Sequence, residues 1–239
     1  MSDCKSQYGI IGKPLGHSFS EQYFTDKFAL EHVPATYQAL QIDAIEEVLP
    51  LLQILDGMNV TYPYKEEIIP YLTALDETAR AIGAVNVVHH GKGYNTDWIG
   101  FRDSLMSLIQ GNEQALLLGT GGVSKAIAYA LKQMGIGYTF VSRNPNTNAI
   151  GYEDLTEAII KQHTIIVNCT PLGMHPYEHE MPNIPYQLLG EAHLLYDCIY
   201  NPEMTRFLRM GQKQGCRVKN GLEMLHIQAD RAWEIWSEL

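Results

Sequence analysis

The chain has 239 residues, 46% hydrophobic and 18% charged, which suits one large domain or two smaller ones and is too apolar for a disordered chain. Its formal net charge of −10 argues against nucleic acid and anionic membranes as main partners. Four cysteines without a CxxC pair, no basic-then-apolar leader and no apolar run of ~20 residues exclude a disulfide framework, a secretory signal and a membrane span, so the expectation is a soluble, cytoplasmic protein.

The first hundred residues alternate short strands and helices. "YGIIG" (8–12) reads as a buried strand ended by Gly12, and Ser18 or Ser20 can cap a helix with Phe19, Tyr23, Phe24 and Phe28 on its apolar positions. "ATYQAL" reads as a strand, "AIEEVLPLL" as a helix and "GMNVTY" as a strand. Pro63 or Tyr64 then opens a helix carrying Lys65, because proline is tolerated in a first turn. "AVNVVHHGKGYNTD" holds two extended runs around Gly91-Lys92-Gly93, a hairpin signal, and Asp97 can cap a helix containing Phe101, Leu105, Leu108 and Ile109.

A different pattern starts near residue 114. "QALLLG" is a short apolar strand, "GTGG" follows, and Val123, Ala126, Ile127, Ala130, Leu131 and Met134 fall on one helix face that Gly135 ends. "YTFVS" is the next strand, and "TIIVNC", "HLLYDCIY" and "CRVK" supply more. This β–glycine turn–α–β order predicts a parallel sheet. The last stretch, "GLEMLHIQADRAWEIWSEL", is an amphipathic helix. The expected architecture is α/β with two domains: an N-terminal α/β domain over 1–100 and a Rossmann-type domain with a parallel sheet over 101–220, the final helix 221–239 packing back on the first.

The turn Gly119-Thr120-Gly121-Gly122-Val123 departs from the usual G-x-G-x-x-G, yet its small residues still let backbone N–H groups and a helix N-terminus meet a pyrophosphate. At the end of the following strand an NAD enzyme usually carries Asp or Glu for the ribose 2′-hydroxyl. Here "VSRNPN" places Ser142, Arg143 and Asn144, and no Asp or Glu occurs from Gln114 to Tyr152. Arg143 can pair with a 2′-phosphate, so the expected cofactor is NADP, with Lys125 as a further helper. Read alone, Arg143 is a solvated arginine in a Pro/Asn loop.

"GHSFS", "GAVN", "GYNTD" and "MLHIQ" combine polar groups with turn signals, the side-chain types a small hydroxylated acid needs. A lysine–carboxylate pair, Lys65 with Asp97, can move a proton. Each has a plainer reading. Ser18, Ser20 and Asp97 can be caps, Asn86 can satisfy a strand edge, Gln228 can face solvent, His17 can be structural and Lys65 can be a solvated helix-start lysine. No second histidine lies at metal spacing, so no metal is expected.

Together "GKPLGHSFS", "NVTYPYKEE", "GAVNVV", "YNTDWIGF", "LGTGGVSKA", "VSRN", "NCTPLGM", "DCIYNPEMTRFL" and "NGLEMLHIQA" resemble the shikimate dehydrogenase family, in order and over nearly the full length. The resemblance implies reversible NADP-dependent reduction of 3-dehydroshikimate to shikimate in aromatic amino-acid biosynthesis, with substrate in the interdomain cleft. It implies Lys65 and Asp97 as the catalytic pair. Ser18 and Ser20 bind the substrate carboxylate, and Thr61, Asn86, Tyr200 and Gln228 make further substrate contacts. Gly119, Thr120, Gly121, Gly122, Val123, Ser142, Arg143, Asn144 and Thr170, in the 168–174 loop, fall on the cofactor side, and Gly221 and Met224 near the nicotinamide. Glu21, Phe24-Thr25, Tyr62 and Tyr64 depart from the family's usual residues without deleting a polar contact. Two alternatives stand beside this: a quinate/shikimate dehydrogenase using NAD or NADP, and a non-catalytic NADP-binding sensor. A monomer or homodimer fits equally.

Overall fold

The computed structural model describes residues 5–15 and 19–237. They form two compact units, one running to Thr96 and resuming at Ala229, the other spanning Asp97–Gln228. In chain order the first unit holds β1 (Ser6–Gly12), α1 (Phe19–Leu30), β2 (Ala35–Gln41), α2 (Val48–Ile54), β3 (Gly57–Val60), β4 (Ala74–Leu75), α3 (Glu77–Ile82), β5 (Val87–His89) and β6 (Lys92–Tyr94). The second holds α4 (Asp97–Met106), β7 (Gln114–Leu118), α5 (Gly122–Gln133), β8 (Gly137–Val141), β9 (Ala149–Ile150), α6 (Glu157–Gln162), β10 (Ile165–Asn168), β11 (Leu194–Asp197), α7 (Arg206–Lys213) and β12 (Arg217–Lys219). The last helix, α8 (Leu222–Ser237), begins in the second unit and ends in the first.

The first sheet is mixed, in the order β2-β1-β3-β5-β6-β4. β1 pairs in parallel with β2 and β3, and β5 pairs antiparallel with β3 and β6. The β5–β6 hairpin turns at His90-Gly91, where φ is +46° and +73°, the left-handed pair that a tight hairpin requires. The turn therefore precedes the expected Gly91-Lys92-Gly93, since Lys92 and Gly93 already pair with His89 and Val88. One face of the sheet packs Tyr8, Phe24, Phe28, Tyr37 and Trp236 together, with Tyr8 and Trp236 stacked at 5.0 Å. Trp236 lies over Gly57, where a Cβ would come within 2.4 Å of the indole nitrogen, and that nitrogen donates to Val88 O at 3.1 Å.

Lys65 sits in no regular helix. Residues 62–68 form a run of turns leading to a short 3₁₀ segment, Ile69–Tyr71. Ile68 N reaches Tyr64 O across four residues, while the Lys65 carbonyl is taken at 2.7 Å by the distant Val85 N–H. The expected helix thus gives way to a tertiary hydrogen bond that holds the Lys65 backbone against the approach to β5.

All strands of the second sheet run parallel, in the order β12-β11-β10-β7-β8-β9. The sequence therefore runs outward from β7 in one direction and then from β10 in the other, the doubly wound arrangement. β7 is buried on both faces: Ala115 and Leu117 pack with α4 and α5, Leu116 and Leu118 with Ile160, Phe207 and Leu208. α5 buries Ala126, Ile127, Ala130 and Leu131 as its spacing predicts. It ends at Gly135, φ +73°, where Ile136 N reaches back to Leu131 O at 2.9 Å. α4 closes at Met106, so Leu108 and Ile109 pack on the same core from beyond the helix.

Candidate active site

In a doubly wound sheet, ligands bind beyond the carboxyl ends of the two strands where the order reverses. Here those strands are β7 and β10. β7 runs into Gly119, whose φ of +108° only glycine adopts readily. A Cβ there would press on Thr170 and the Cys169 backbone, 3.3 and 3.5 Å away, just past β10. Gly119 N donates to Val141 O and Cys169 N to Leu118 O, fixing the two ends side by side. Gly121 is the N-cap of α5, offers no side-chain cap and has open space where a Cβ would point. The Ser124 hydroxyl turns back onto Gly121 O at 2.7 Å. The first-turn N–H groups thus face a glycine cradle with no capping side chain, which fits a pyrophosphate. Thr120 is exposed beside them and Val123 and Lys125 are half-buried on the first turn of α5.

After β8, Ser142 N bonds Ile150 O, and the Ser142 hydroxyl accepts from Asn144 N at 3.1 Å. This turn holds Arg143 exposed, with no carboxylate between Gln114 and Tyr152 to compete for it. The donor set fits a 2′-phosphate and offers nothing to accept a free 2′-hydroxyl's proton as an acidic side chain would.

The loop after β10 is braced by a cluster that sequence reasoning passed over. Asn168 Oδ1 accepts from Thr170 N and Oγ1 at 3.0 and 2.7 Å, and its amide donates to Leu172 O and to Asp197 Oδ1. Asp197, fully buried, also accepts from Ile199 N at 3.1 Å and from the Thr205 hydroxyl at 2.6 Å. Burial outweighs these hydrogen bonds and pushes its carboxyl up to about 7. One carboxyl thereby ties together the loop bearing Thr170 and the strand end bearing half-buried Tyr200. The available signal was a polar residue closing each of two apolar strands, "IIVN" and "LLYD".

Gly221 donates to Ile199 O, and a Cβ there would strike Cys198 O at 2.3 Å, so only glycine fits. Met224 is buried one turn into α8, and its carbonyl lies 2.5 Å from where a Cβ at Gly100 would stand, so α4 and α8 cross at close range. Gln228 is half-buried on the same helix rather than fully solvent-facing.

The first unit gathers its polar residues differently. Ser20 is buried inside α1, not at its cap, and its side chain hydrogen-bonds Tyr37. The Tyr37 hydroxyl donates to Asn59 Oδ1 at 2.6 Å, and Asn59 donates to Asn86 O at 3.3 Å. Full burial pushes the Tyr37 phenol well above its ordinary range, so it stays a neutral donor. Asn86 in turn clamps Thr96, donating to its hydroxyl at 2.9 Å and accepting from its N–H at 2.7 Å. These bonds fasten Asn86, just before β5, to the residue two past the end of β6. Thr61 and Lys65 are half-buried just beyond β3, where Thr61 N bonds Ile11 O. Asp97 is buried at the start of α4, directly after clamped Thr96. Tyr37 and Asn59 were missed, although an asparagine inside "GMNV" is itself a signal. Ser18 and His17 lie outside the described residues. No group of three or more metal-ligating side chains occurs among the described residues, and no helix there is long and apolar enough to cross a membrane.

Residues 10–88 match the family model of the shikimate dehydrogenase substrate binding domain. A shikimate dehydrogenase (NADP(+)) of Carboxydothermus hydrogenoformans is 35% identical, over 96% of this chain and 90% of that protein. The crystal structure of shikimate dehydrogenase from Aquifex aeolicus superposes with a TM-score of 0.86 at 34% identity, covering 100% of this chain and 95% of that one. The enzyme from Thermus thermophilus, solved in complex with NADP(H) and shikimate, gives a TM-score of 0.86 at 28% identity, covering 98% and 94%.

Proposed function

The chain belongs to the shikimate dehydrogenase family, and we propose that it reduces 3-dehydroshikimate reversibly to shikimate with NADP, in the branch of metabolism leading to chorismate. The observation that carries this reading in the molecule itself is the switch point of the parallel sheet. There Gly119, an uncapped α5 and an acid-free strand end bearing Arg143 suit a 2′-phosphorylated dinucleotide.

NADPH, when bound, supplies the hydride for the C3 carbonyl. Gly119, Thr120, Gly121, Gly122 and Val123 hold its pyrophosphate, Ser142, Arg143 and Asn144 its 2′-phosphate, and Thr170, Gly221 and Met224 its nicotinamide end. Ser18 and Ser20 bind the substrate carboxylate. Thr61, Asn86, Tyr200 and Gln228 orient the ring hydroxyls. Lys65 Nζ donates a proton to the C3 oxygen as it becomes an alkoxide and retrieves it in the oxidative direction, while Asp97 holds the lysine and the C4 hydroxyl. The Val85–Lys65 backbone bond supports this role, because it fixes where the lysine stem starts.

Purified protein supplied with shikimate and NADP⁺ is expected to form NADPH. The relatives' names do not favour quinate as substrate or a non-catalytic sensor. Steady-state rates for shikimate and quinate with each cofactor test the first. NADP binding without any shikimate turnover would sink the proposal in favour of the second. A cytoplasmic location fits the acidic, cysteine-poor composition, and sedimentation of the purified chain distinguishes monomer from homodimer.

A further inference from the structure

Cys169 and Cys198 stand at matching positions one residue past the paired ends of β10 and β11. Asn168 pairs with Asp197 in register, and Cys198 N donates to Asn168 O at 3.0 Å, so the ladder continues into the two cysteines. Strand alternation puts both thiols on one face. Ile165, Val167 and Cys169 pack on the same core as Leu194, Tyr196 and Cys198, whereas Ile166 and Leu195 pack on the opposite one. Neighbouring strands lie about 4.8 Å apart, inside the Cα separation a disulfide tolerates. Both cysteines are half-buried, while Cys216 is buried in the core on the other face. Cys169 is also the largest single influence on the Cys198 thiol, as adjoining side chains require.

The geometry points to a redox-sensitive dithiol: Cys169 and Cys198 form a disulfide under peroxide and thereby weaken the binding of NADP(H). The two thiols are oxidised by two electrons and the peroxide O–O bond is reduced to two waters. In the first step a Cys169 thiolate attacks one peroxide oxygen, giving a sulfenic acid and a hydroxide, which takes up the proton the thiol released and becomes the first water. In the second, the Cys198 sulfur attacks the Cys169 sulfur, the S–S bond forms and the sulfenic oxygen leaves with the Cys198 proton as the second water. The neighbouring Cys169, followed by burial, pushes the Cys198 thiol well above its ordinary value. It is therefore the slower first attacker and the natural resolving partner.

The consequence follows from what adjoins each sulfur. Thr170 comes next after Cys169, and Cys198 O is the atom against which Gly221 is packed. Drawing the sulfurs into a covalent bond shifts both strand ends at once. This effect on the cofactor rests on the NADP reading above, whereas the bond itself does not.

The full-length protein, treated with hydrogen peroxide, is expected to lose about 2 Da and two of its four thiols, with peptide mapping joining Cys169 to Cys198. The NADP⁺ dissociation constant should rise by about tenfold to a hundredfold, the scale of a misplacement near 1 Å, and return with dithiothreitol. Cys198→Ser should keep its NADP⁺ affinity under peroxide. Mass gains in steps of oxygen with no Cys169–Cys198 link would overturn the proposal, as would a link that leaves NADP⁺ affinity unchanged. A link formed in a protein that binds no NADP⁺ even when reduced would keep the dithiol and sink the function reading instead.

Discussion

Both sheets carry a buried polar network at the strand ends where the proposed chemistry falls, but the two networks differ in kind. In the first unit the chain Ser20–Tyr37–Asn59–Asn86–Thr96 links hydroxyls and amides. In the second, Asn168, Ile199 N and Thr205 converge on one carboxyl, Asp197, and Asn168 passes the tie on to Thr170. A neutral network holds its geometry at any pH near neutrality. A buried carboxyl satisfied by three hydrogen bonds has two states of different cost. The first design therefore gives an orientation insensitive to acidity, and the second makes the loop bearing Thr170 a titrating element.

Four changes break or sharpen that contrast. The largest effect is expected at the half-buried lysine of the first unit. Lys65→Ala should lower kcat by ~10²–10⁴, about 3–5 kcal/mol of barrier, with KM little changed; a variant with near-normal kcat removes the lysine from the mechanism. Next is pH. The Asp197 carboxyl is pushed up from 3.8 to about 7 in the fold, so between those values the native state keeps a proton that the unfolded chain has released. The stability it contributes is complete below about pH 4 and is lost progressively as pH rises to 7, a change on the order of 4 kcal/mol. Asp197→Asn mimics the protonated form and does not titrate, so denaturant melts should come closest to the parent below about pH 4 and exceed it by a growing margin toward pH 8. Equal pH slopes for the two proteins would remove the titrating carboxyl from the account.

Arg143→Ala should then weaken NADP⁺ by about 1.5–3 kcal/mol, the worth of a charge-assisted hydrogen bond, and leave NAD⁺ binding nearly unchanged; parallel titrations with both cofactors check it. Smallest is Tyr37→Phe. It takes away the hydroxyl that donates to Asn59 Oδ1 at a cost of about 1–2 kcal/mol, equal at pH 5 and pH 8. A pH-dependent loss there would erase the distinction between the networks.

The sequence made local features readable and missed those set by distant contacts. The α5 stripe, the glycine turn before it and the capping Gly135 are encoded within a few residues of each other, and the structure has them as expected. Pro63, a good helix opener, predicts a helix carrying Lys65. The structure gives its carbonyl to Val85, 20 positions further on, and such a partner has no local signature. Asp197, Asn168 and Tyr37 escaped notice for the same reason: each is polar because of a residue on another strand or helix. In the other direction, the resemblance of nine short motifs carries the proposed residue roles that periodicity could not, those of Asn86 and Gln228 among them.

The Trp236 indole, seated over Gly57 and bonded to Val88 O, has a consequence for the order in which the chain is finished during synthesis. The core of the first unit contains Ala229, Ala232 and Trp236, encoded some 140 residues after its last strand. On the ribosome that core stands without its closing piece while the entire parallel sheet is being made. The parallel sheet, contiguous in sequence, can mature first. A stop codon a few residues before Trp236 would therefore injure the part of the protein translated earliest, and ribosome-stalled chains truncated on either side of Trp236 should differ in protease resistance at β3 and β5.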